Sequence, residues 1–203
     1  MKKRISQRKR TSKETDISLK LNIDGKGESN IDTSIGILDH MLELFAFHGL
    51  FDLQIKAKGD LKIDIHHTNE DIGLVLGDAV KEALGDKKGI RRFGSASVPM
   101  EDVVATVAVD ISGRGFFNGI NRGPGSKAAE KSEDNYSFAY ADHFFEAFAK
   151  KAGINLSIKL LTTNPDLHTN LEPIFKAFGI ALDQATQIDP RRKGIPSTKG
   201  IID

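Results

Sequence analysis

Apolar and polar positions alternate in short stretches of the first half of the chain, and two longer stretches follow helical spacing instead. Strict alternation is typical of strands with one buried face, whereas apolar residues three and four positions apart indicate amphipathic helices. The predicted strands cover residues 14–24, 28–33 and 51–57. The predicted helices cover residues 35–48, before Gly49, and the stretch from His66 to the closing Gly85. The order is therefore strand, strand, helix, strand, helix.

The second half repeats this order of elements. Strands are predicted over residues 103–110, 116–120 and 154–161, and helices over residues 137–152 and 168–188. A polar, glycine-rich stretch over residues 121–135 interrupts the repeat, and it predicts a mobile loop.

Polar landmarks recur at nearly the same spacing in the two halves. Asp39-His40 recurs as Asp142-His143, 103 residues later. The landmarks His66, Glu70, Gly77 and Ala79 recur as His168, Glu172, Gly179 and Ala181, each 102 residues later. Helix periodicity alone would align apolar residues but not this combination. We therefore predict an α/β (α+β) fold made by tandem duplication of a strand-strand-helix-strand-helix half-domain, with its sheets covered by helices.

The duplication divides the chain into four parts. Residues 10–93 and 94–190 are predicted to form the two half-domains. Residues 1–9 are rich in lysine and arginine, and we expect them to form a solvated, mobile end. Residues 191–203 form a C-terminal segment that contains Pro196-Ser197-Thr198-Lys199-Gly200.

Composition narrows the function classes. The chain has 203 residues, enough to bury a core, and a net charge of +1, which provides no overall field for nucleic acid or an anionic membrane. It has no cysteine, so disulfides, thiolate metal sites and a cysteine nucleophile are excluded. No apolar run approaches the roughly 18 residues of a membrane span. We expect a cytoplasmic protein that binds neither nucleic acid nor membranes.

Five of the six histidines fall in the repeated elements. They are His40, His66, His67, His143 and His168. A single such histidine is more often a hydrogen-bonded, half-buried residue, but five at repeating positions together with Glu70 and Glu172 favour metal binding. Imidazole and carboxylate without thiolate suit Mn, Fe, Co, Ni or Zn.

Helical geometry suggests how these ligands are shared between two ions. Residues i and i+4 lie on one face of a helix, so His66 and Glu70 can hold one ion, whereas the next side chain points about 100° away. The hypothesis places His66, Glu70 and His143 at one metal. It places His168, Glu172, His40 and His67 at the other.

A separate group of basic and hydroxyl residues is suited to binding phosphate. Arg92 and Arg114 both lie beside glycines, and Ser197 and Lys199 lie in the Pro-Ser-Thr-Lys-Gly segment. Such residues offer cationic, hydroxyl and backbone N–H donors that a phosphate can approach closely. Lys176, four residues after Glu172, could reach the same pocket, although it could also be a solvated helix residue.

Several motifs together resemble the imidazoleglycerol-phosphate dehydratase family of histidine biosynthesis. They are Leu38-Asp39-His40-Met41-Leu42, Gly59-Asp60, Asp64-Ile65-His66-His67-Thr68-Asn69-Glu70-Asp71, Gly89-Ile90-Arg91-Arg92-Phe93-Gly94, Asp110-Ile111-Ser112-Gly113-Arg114, Glu172 with Phe175-Lys176-Ala177, and Pro196-Ser197-Thr198-Lys199-Gly200. The resemblance runs from about residue 10 to residue 200. It implies loss of water from imidazole glycerol phosphate to give imidazole acetol phosphate, two Mn²⁺ ions per active site, and an assembly of 24 copies with active sites between them.

The resemblance also implies roles for individual residues. Two metal ions could polarise the imidazole ring, and a carboxylate must move protons, for which Glu172 and Glu14 are the candidates. Arg92, Arg114, Lys176, Ser197 and Lys199 would hold the phosphate.

Thr169 departs from the family pattern, which has a second histidine there, and this removes a ligand from the metal of His66, Glu70 and His143. The alternatives are a family member with impaired activity and a dinuclear hydrolase of a phosphorylated small molecule. An RNA-binding module is a third, which the near-zero charge disfavours.

Overall fold

The computed structural model describes residues 3–123 and 135–202, with four helices and seven strands among them. The strands are β1 (Ile5–Thr11), β2 (Thr15–Asn22), β3 (Ser29–Asp32), β4 (Asp52–Gly59), β5 (Phe93–Met100), β6 (Val103–Asp110) and β7 (Asn155–Thr162). The helices are α1 (Gly36–Gly49), α2 (His66–Leu84), α3 (Phe138–Ala152) and α4 (Leu167–Thr186). All four predicted helices are present. Most of the predicted loop over residues 121–135 lies outside the described residues.

The first sheet has the strand order β1-β2-β4-β3. The strand predicted over residues 28–33 is present, but it does not return beside β2. It runs parallel to β4, because the Asp52 carboxylate accepts the backbone N–H of Lys26 at 2.7 Å and the Glu28 carbonyl accepts the N–H of Leu53 at 2.9 Å. These bonds direct the chain past β2 to the far edge of β4.

The prediction of a mobile basic end is wrong from Ile5 onward. Residues Ile5–Thr11 form β1 and pair with β2 in antiparallel register along the whole strand. The sequence pattern gave no sign of this because β1 buries only Ser6 fully, while its charged side chains are exposed or half-buried. Backbone pairing along one edge of the sheet orders this segment, not burial of apolar side chains.

The second sheet repeats the first, in the order β5-β6-β7. Phe116 and Asn121 form parallel bridges with β7, as β3 does with β4, so the segment predicted as a strand over residues 116–120 occupies the position of β3. Strand β5 is pseudo-equivalent to β1 and was also not predicted. Its sequence is mostly small residues, none of them fully buried.

The helices pack between the two sheets. Helix α2 packs on β1, β2 and β4, while α4 packs on β5, β6 and β7. Helix α1 lies against α4 and α3 lies against α2, so each helix of one half contacts a helix of the other half. The helices meet in a phenylalanine-rich core, in which Phe145 contacts Phe144, Phe175 and Phe178 with ring centroids 5.0–5.4 Å apart. The predicted duplicated α+β architecture is confirmed.

Glycines set the distance between the paired helices. A Cβ added at Gly179 of α4 would lie 2.4 Å from the carbonyl oxygen of Phe45 in α1, and one added at Gly77 of α2 would lie 2.6 Å from that of Phe148 in α3. Real side chains do not approach a carbonyl so closely. The duplicated glycines therefore bring the backbones into direct contact at both crossings.

Candidate active site

Two histidine–glutamate groups occupy pseudo-equivalent positions. In each, one histidine and one glutamate share the first turns of a helix, at positions i and i+4, and the second histidine comes from the helix packed against it. The His168 group consists of His168 and Glu172 on α4 with His40 on α1. The His66 group consists of His66 and Glu70 on α2 with His143 on α3.

The three side chains of the His168 group converge on one point. One ligand atom from each lies within 4.8 Å of the others, and among residues 3–123 and 135–202 this is the one cluster of three histidines or acids that does so. Nε2 of His168 lies 3.1 Å from Oε2 of Glu172, and the ring stacks on that of His40 at 5.1 Å. Two imidazoles and a carboxylate at this spacing fit a divalent ion.

Lys176 contacts the His168 group directly. Its Nζ lies 2.5 Å from Oε1 of Glu172, one helical turn away. Burial raises the pKa of Glu172, but the hydrogen bond and charge of Lys176, with the charge of His168, outweigh burial and hold the pKa below its usual range. Glu172 is therefore ionised near neutral pH, as a metal ligand must be.

His48, the sixth histidine, lies close to the same group and was not among the predicted site residues. It is two turns after His40 on α1 and half-buried. Burial and the charge of Lys176 lower the pKa of His48. Its spacing from His40 along one helix was the signal in the sequence that could have identified it.

The members of the His66 group lie close together without converging in the same way. Nε2 of His66 lies 3.3 Å from Oε2 of Glu70, while Nδ1 of His66 lies 3.0 Å from Nδ1 of His143. Glu70 and His143 therefore contact opposite nitrogens of the His66 ring. The predicted set is brought together, but its side chains are not arranged around one shared point.

His67 is directed to a carboxylate rather than to the His168 group. Its Nδ1 lies 3.1 Å from Oδ2 of Asp60, and this contact, with the charge of Glu14, raises the pKa of His67. The Glu14 carbonyl accepts the N–H of Asp60 at 3.0 Å, so the Glu14 backbone lies beside this pair. Histidine ligands commonly place one ring nitrogen on a carboxylate and present the other to the metal. Asp60 fits that supporting role.

Thr169 forms hydrogen bonds at the N-terminal end of α4. Asp166 caps this helix, accepting the Thr169 N–H at 2.7 Å and the Thr169 hydroxyl at 2.6 Å. The side chain is buried at 8% exposure. Thr169, where the resemblance leads us to expect a histidine, therefore stabilises the helix terminus and is turned towards Asp166.

The predicted phosphate residues lie at two places. Lys176 belongs with the His168 group. Arg92 donates from Nη1 to the carbonyl of Pro196 at 3.0 Å, which places it beside the segment that contains Ser197 and Lys199. Ser197 Oγ accepts the N–H of Lys199 at 3.2 Å and closes a tight turn.

Known proteins resemble this chain over nearly its whole length. A model of the imidazoleglycerol-phosphate dehydratase family matches residues 33–182. The chain belongs to this family. Imidazoleglycerol-phosphate dehydratase from Geobacter metallireducens is 52% identical over 191 residues, covering 94% of this chain and 95% of that protein. The Acetivibrio thermocellus enzyme is 51% identical over 195 residues, covering 95% and 96%.

Solved structures agree with the sequence relatives. The crystal structure of imidazoleglycerol-phosphate dehydratase from Staphylococcus aureus superposes with a TM-score of 0.79 at 34% identity, covering 91% of this chain and 99% of that one. The Pyrococcus furiosus enzyme, in complex with (S)-C348, gives the same TM-score and identity, covering 96% and 99%. The predicted family and fold are confirmed, and with the family come a hydro-lyase activity and a place in histidine biosynthesis.

Within this family member, the His168 group and the segment of Arg92, Ser197 and Lys199 lie at opposite ends of α4. The N–H of Arg92 donates to the carbonyl of Ala185 in the last turn of α4. Ala185 is thirteen residues after Glu172, a separation of about 20 Å along the helix. The Arg114 turn is similarly fixed beyond the end of α3, where Gly113 N–H donates to Gly153 at 2.8 Å. Among the described helices, none is long and apolar enough to cross a membrane.

Proposed function

We propose that this family member removes water from imidazole glycerol phosphate at a site formed by two copies of the chain. One copy contributes the His168 group and Lys176, and a neighbouring copy contributes Arg92, Arg114, Ser197 and Lys199. The observation that carries this proposal is that Arg92 is hydrogen-bonded to Ala185, which lies about 20 Å along α4 from Glu172. A small phosphorylated imidazole cannot contact both ends of one helix.

The donor set supports a divalent metal, and Mn²⁺ is the ion proposed. His40, His168 and Glu172 would hold one ion, since their ligand atoms lie within 4.8 Å of each other. His66, Glu70 and His143 would hold a second after a rotation of side chains. The bound ions would supply Lewis acidity towards the imidazole nitrogens of the substrate.

Glu172 and Glu14 are the proposed proton carriers. Lys176 holds Glu172 in its ionised form, so that its carboxylate is available to accept a proton. Glu14 lies near His67, to whose raised pKa its charge contributes. The role of His67 at the His168 ion requires it to reach that group from another copy, since His67 lies on α2, which packs against α3, whereas His168 lies on α4, which packs against α1.

A neighbouring copy of the chain is therefore part of the proposed centre. We propose that the protein forms an assembly of 24 copies in the cytoplasm. The group of Arg92, Ser197 and Lys199 is exposed enough to meet a partner, since Ser197 is only half-buried and Lys199 is exposed. Thr169 leaves the His66 ion with one ligand fewer, which we expect to loosen that ion without abolishing activity.

Mixing two variants tests the shared site, at a substrate concentration low enough that each variant alone is inactive. Glu172→Gln and Arg92→Ala are purified separately, dissociated, mixed in equal amounts and reassembled, and dehydratase activity is measured. If the site combines two copies, about a quarter of the sites contain an intact metal group and an intact phosphate group, so activity returns to about that fraction. If both groups served one site within one chain, the mixture would be as inactive as its components.

Metal analysis tests the centre itself. The purified protein is assayed for bound metal and for dehydratase activity with and without Mn²⁺. Two equivalents of metal with full activity show that Thr169 is tolerated, whereas one equivalent supports a loosened His66 ion. Full activity in metal-free protein contradicts the proposed metal centre.

A further inference from the structure

Arg92 joins two segments that are distant in sequence. Its Nε donates to Oδ1 of Asp110 at 2.6 Å and its Nη2 to Oδ2 at 3.1 Å, so the ion pair is bidentate. Nη1 donates to the carbonyl of Pro196, and the guanidinium lies 4.8 Å above the Phe93 ring. The two charged side chains are only 20% and 27% exposed. Bidentate pairs of this kind fix a guanidinium in orientation as well as in position.

The orientation of Arg92 determines where the C-terminal turn lies. Pro196 is buried, and the residues after it are Ser197, which is half-buried, and Lys199, which is exposed. Each terminal nitrogen of the guanidinium carries a second N–H beyond those given to Asp110 and Pro196. Arg92 can therefore hold the turn and still donate to a phosphate oxygen.

The first half contains a matched ion pair without this function. Arg4 precedes β1 as Arg92 precedes β5, and it forms a bidentate pair with Asp24 through Nε at 2.8 Å and Nη2. Its Nη1 donates to the carbonyl of Thr186 at the end of α4. The arrangement is repeated by the duplication, but no predicted substrate residue follows the carbonyl that Arg4 holds.

We infer that Asp110 is a positioning residue for the substrate phosphate. It orients Arg92, and Arg92 in turn fixes the Pro196 carbonyl and the turn that carries Ser197 and Lys199. Asp110 does not contact the substrate. This inference rests on the proposed role of Arg92, Ser197 and Lys199 in phosphate binding.

Asp110→Asn tests the inference, with Asp24→Asn as its matched control. Each substitution keeps the shape of the side chain and removes the charge from a bidentate pair. We expect Asp110→Asn to raise KM for imidazole glycerol phosphate about 10–100-fold, because a change of this size corresponds to the loss of one charged hydrogen bond. The kcat of the variant should stay within about twofold of the wild-type value. Binding of inorganic phosphate, measured by calorimetry, should weaken in parallel. Asp24→Asn should change neither quantity.

Limited trypsin digestion adds a structural readout. Release of the C-terminal turn should speed cleavage after Lys193 in Asp110→Asn but not in Asp24→Asn. Unchanged KM, phosphate binding and cleavage in Asp110→Asn, or equal changes in both variants, would overturn the inference. Arg92→Ala separates the two proposals, because an unchanged KM in that variant refutes the phosphate role of Arg92 itself, whatever Asp110→Asn shows.

Discussion

Replacing Gly179 with alanine should separate helices α1 and α4 and weaken the His168 group. The new Cβ would lie 2.4 Å from the carbonyl oxygen of Phe45 and 3.0 Å from the backbone nitrogen of Gly49, whereas ordinary contact begins at 3.4 Å. The helices must therefore move apart by about 1 Å, because a backbone carbonyl in a helix cannot rotate away.

The expected loss of stability follows from two opposing effects. Overpacking costs about 1–3 kcal/mol, and the rigid carbonyl argues for the upper part of that range. The change from glycine to alanine inside a helix returns about 1 kcal/mol. We expect a net loss of about 2 kcal/mol, which would lower the melting temperature of a chain of this size by about 4–8 °C.

Urea denaturation and thermal melting at one protein concentration would measure this loss. Gly36→Ala is the control, since a Cβ at Gly36 meets nothing within 4 Å. The rise in melting temperature on adding Mn²⁺ should also be smaller in Gly179→Ala, because His40 and His168 are carried by the two helices that separate. A variant as stable as the wild-type protein, with the same response to Mn²⁺, would refute the argument that this glycine sets the crossing.

Three further substitutions test separate parts of the molecule. Glu172→Gln should reduce kcat by about 10²–10⁴-fold in a steady-state dehydratase assay, and normal turnover would contradict its role in proton transfer. Thr169→His should tighten Mn²⁺ binding measured by equilibrium dialysis, whereas unchanged affinity would show that position 169 does not reach a metal. The hydrogen bond from Arg4 lowers the pKa of Asp24 in the folded protein. The ion pair therefore stabilises the fold at pH values above the pKa of about 4 that Asp24 has in the unfolded chain. This stabilisation is lost as the pH falls through the lower pKa of Asp24 in the folded protein. The difference in urea midpoint between the wild-type protein and Asp24→Asn should therefore shrink below about pH 4, and a difference that is constant with pH contradicts the ion pair.

Local geometry explains why the members of the histidine–glutamate groups could be predicted to lie together. Helical spacing alone places His66 beside Glu70 and His168 beside Glu172, and the structure gives contacts of 3.3 Å and 3.1 Å between them. The repeat then associated each pair with a histidine of another helix. The helix that lies against each pair does contribute that histidine.

The two strands that sequence patterns missed show the limit of periodicity. Strand β1 is basic and β5 is mostly small residues, so neither has the alternation that burial of one face imposes on β2 and β6. Each is held by the neighbouring strand through backbone hydrogen bonds, which do not require an alternating side-chain pattern. Only the partner strand reveals such an element.

The sequence by itself therefore determined the helices, the duplication, the histidine–glutamate pairs and the family. Each depends on residues close in the chain or on motifs repeated along it. The tertiary structure alone decided that Asp110 and Pro196 share Arg92, and that Arg92 is hydrogen-bonded to Ala185, about 20 Å along α4 from Glu172. These facts depend on how distant segments pack, because the sequence of a helix does not encode which residues other elements bring to each of its ends.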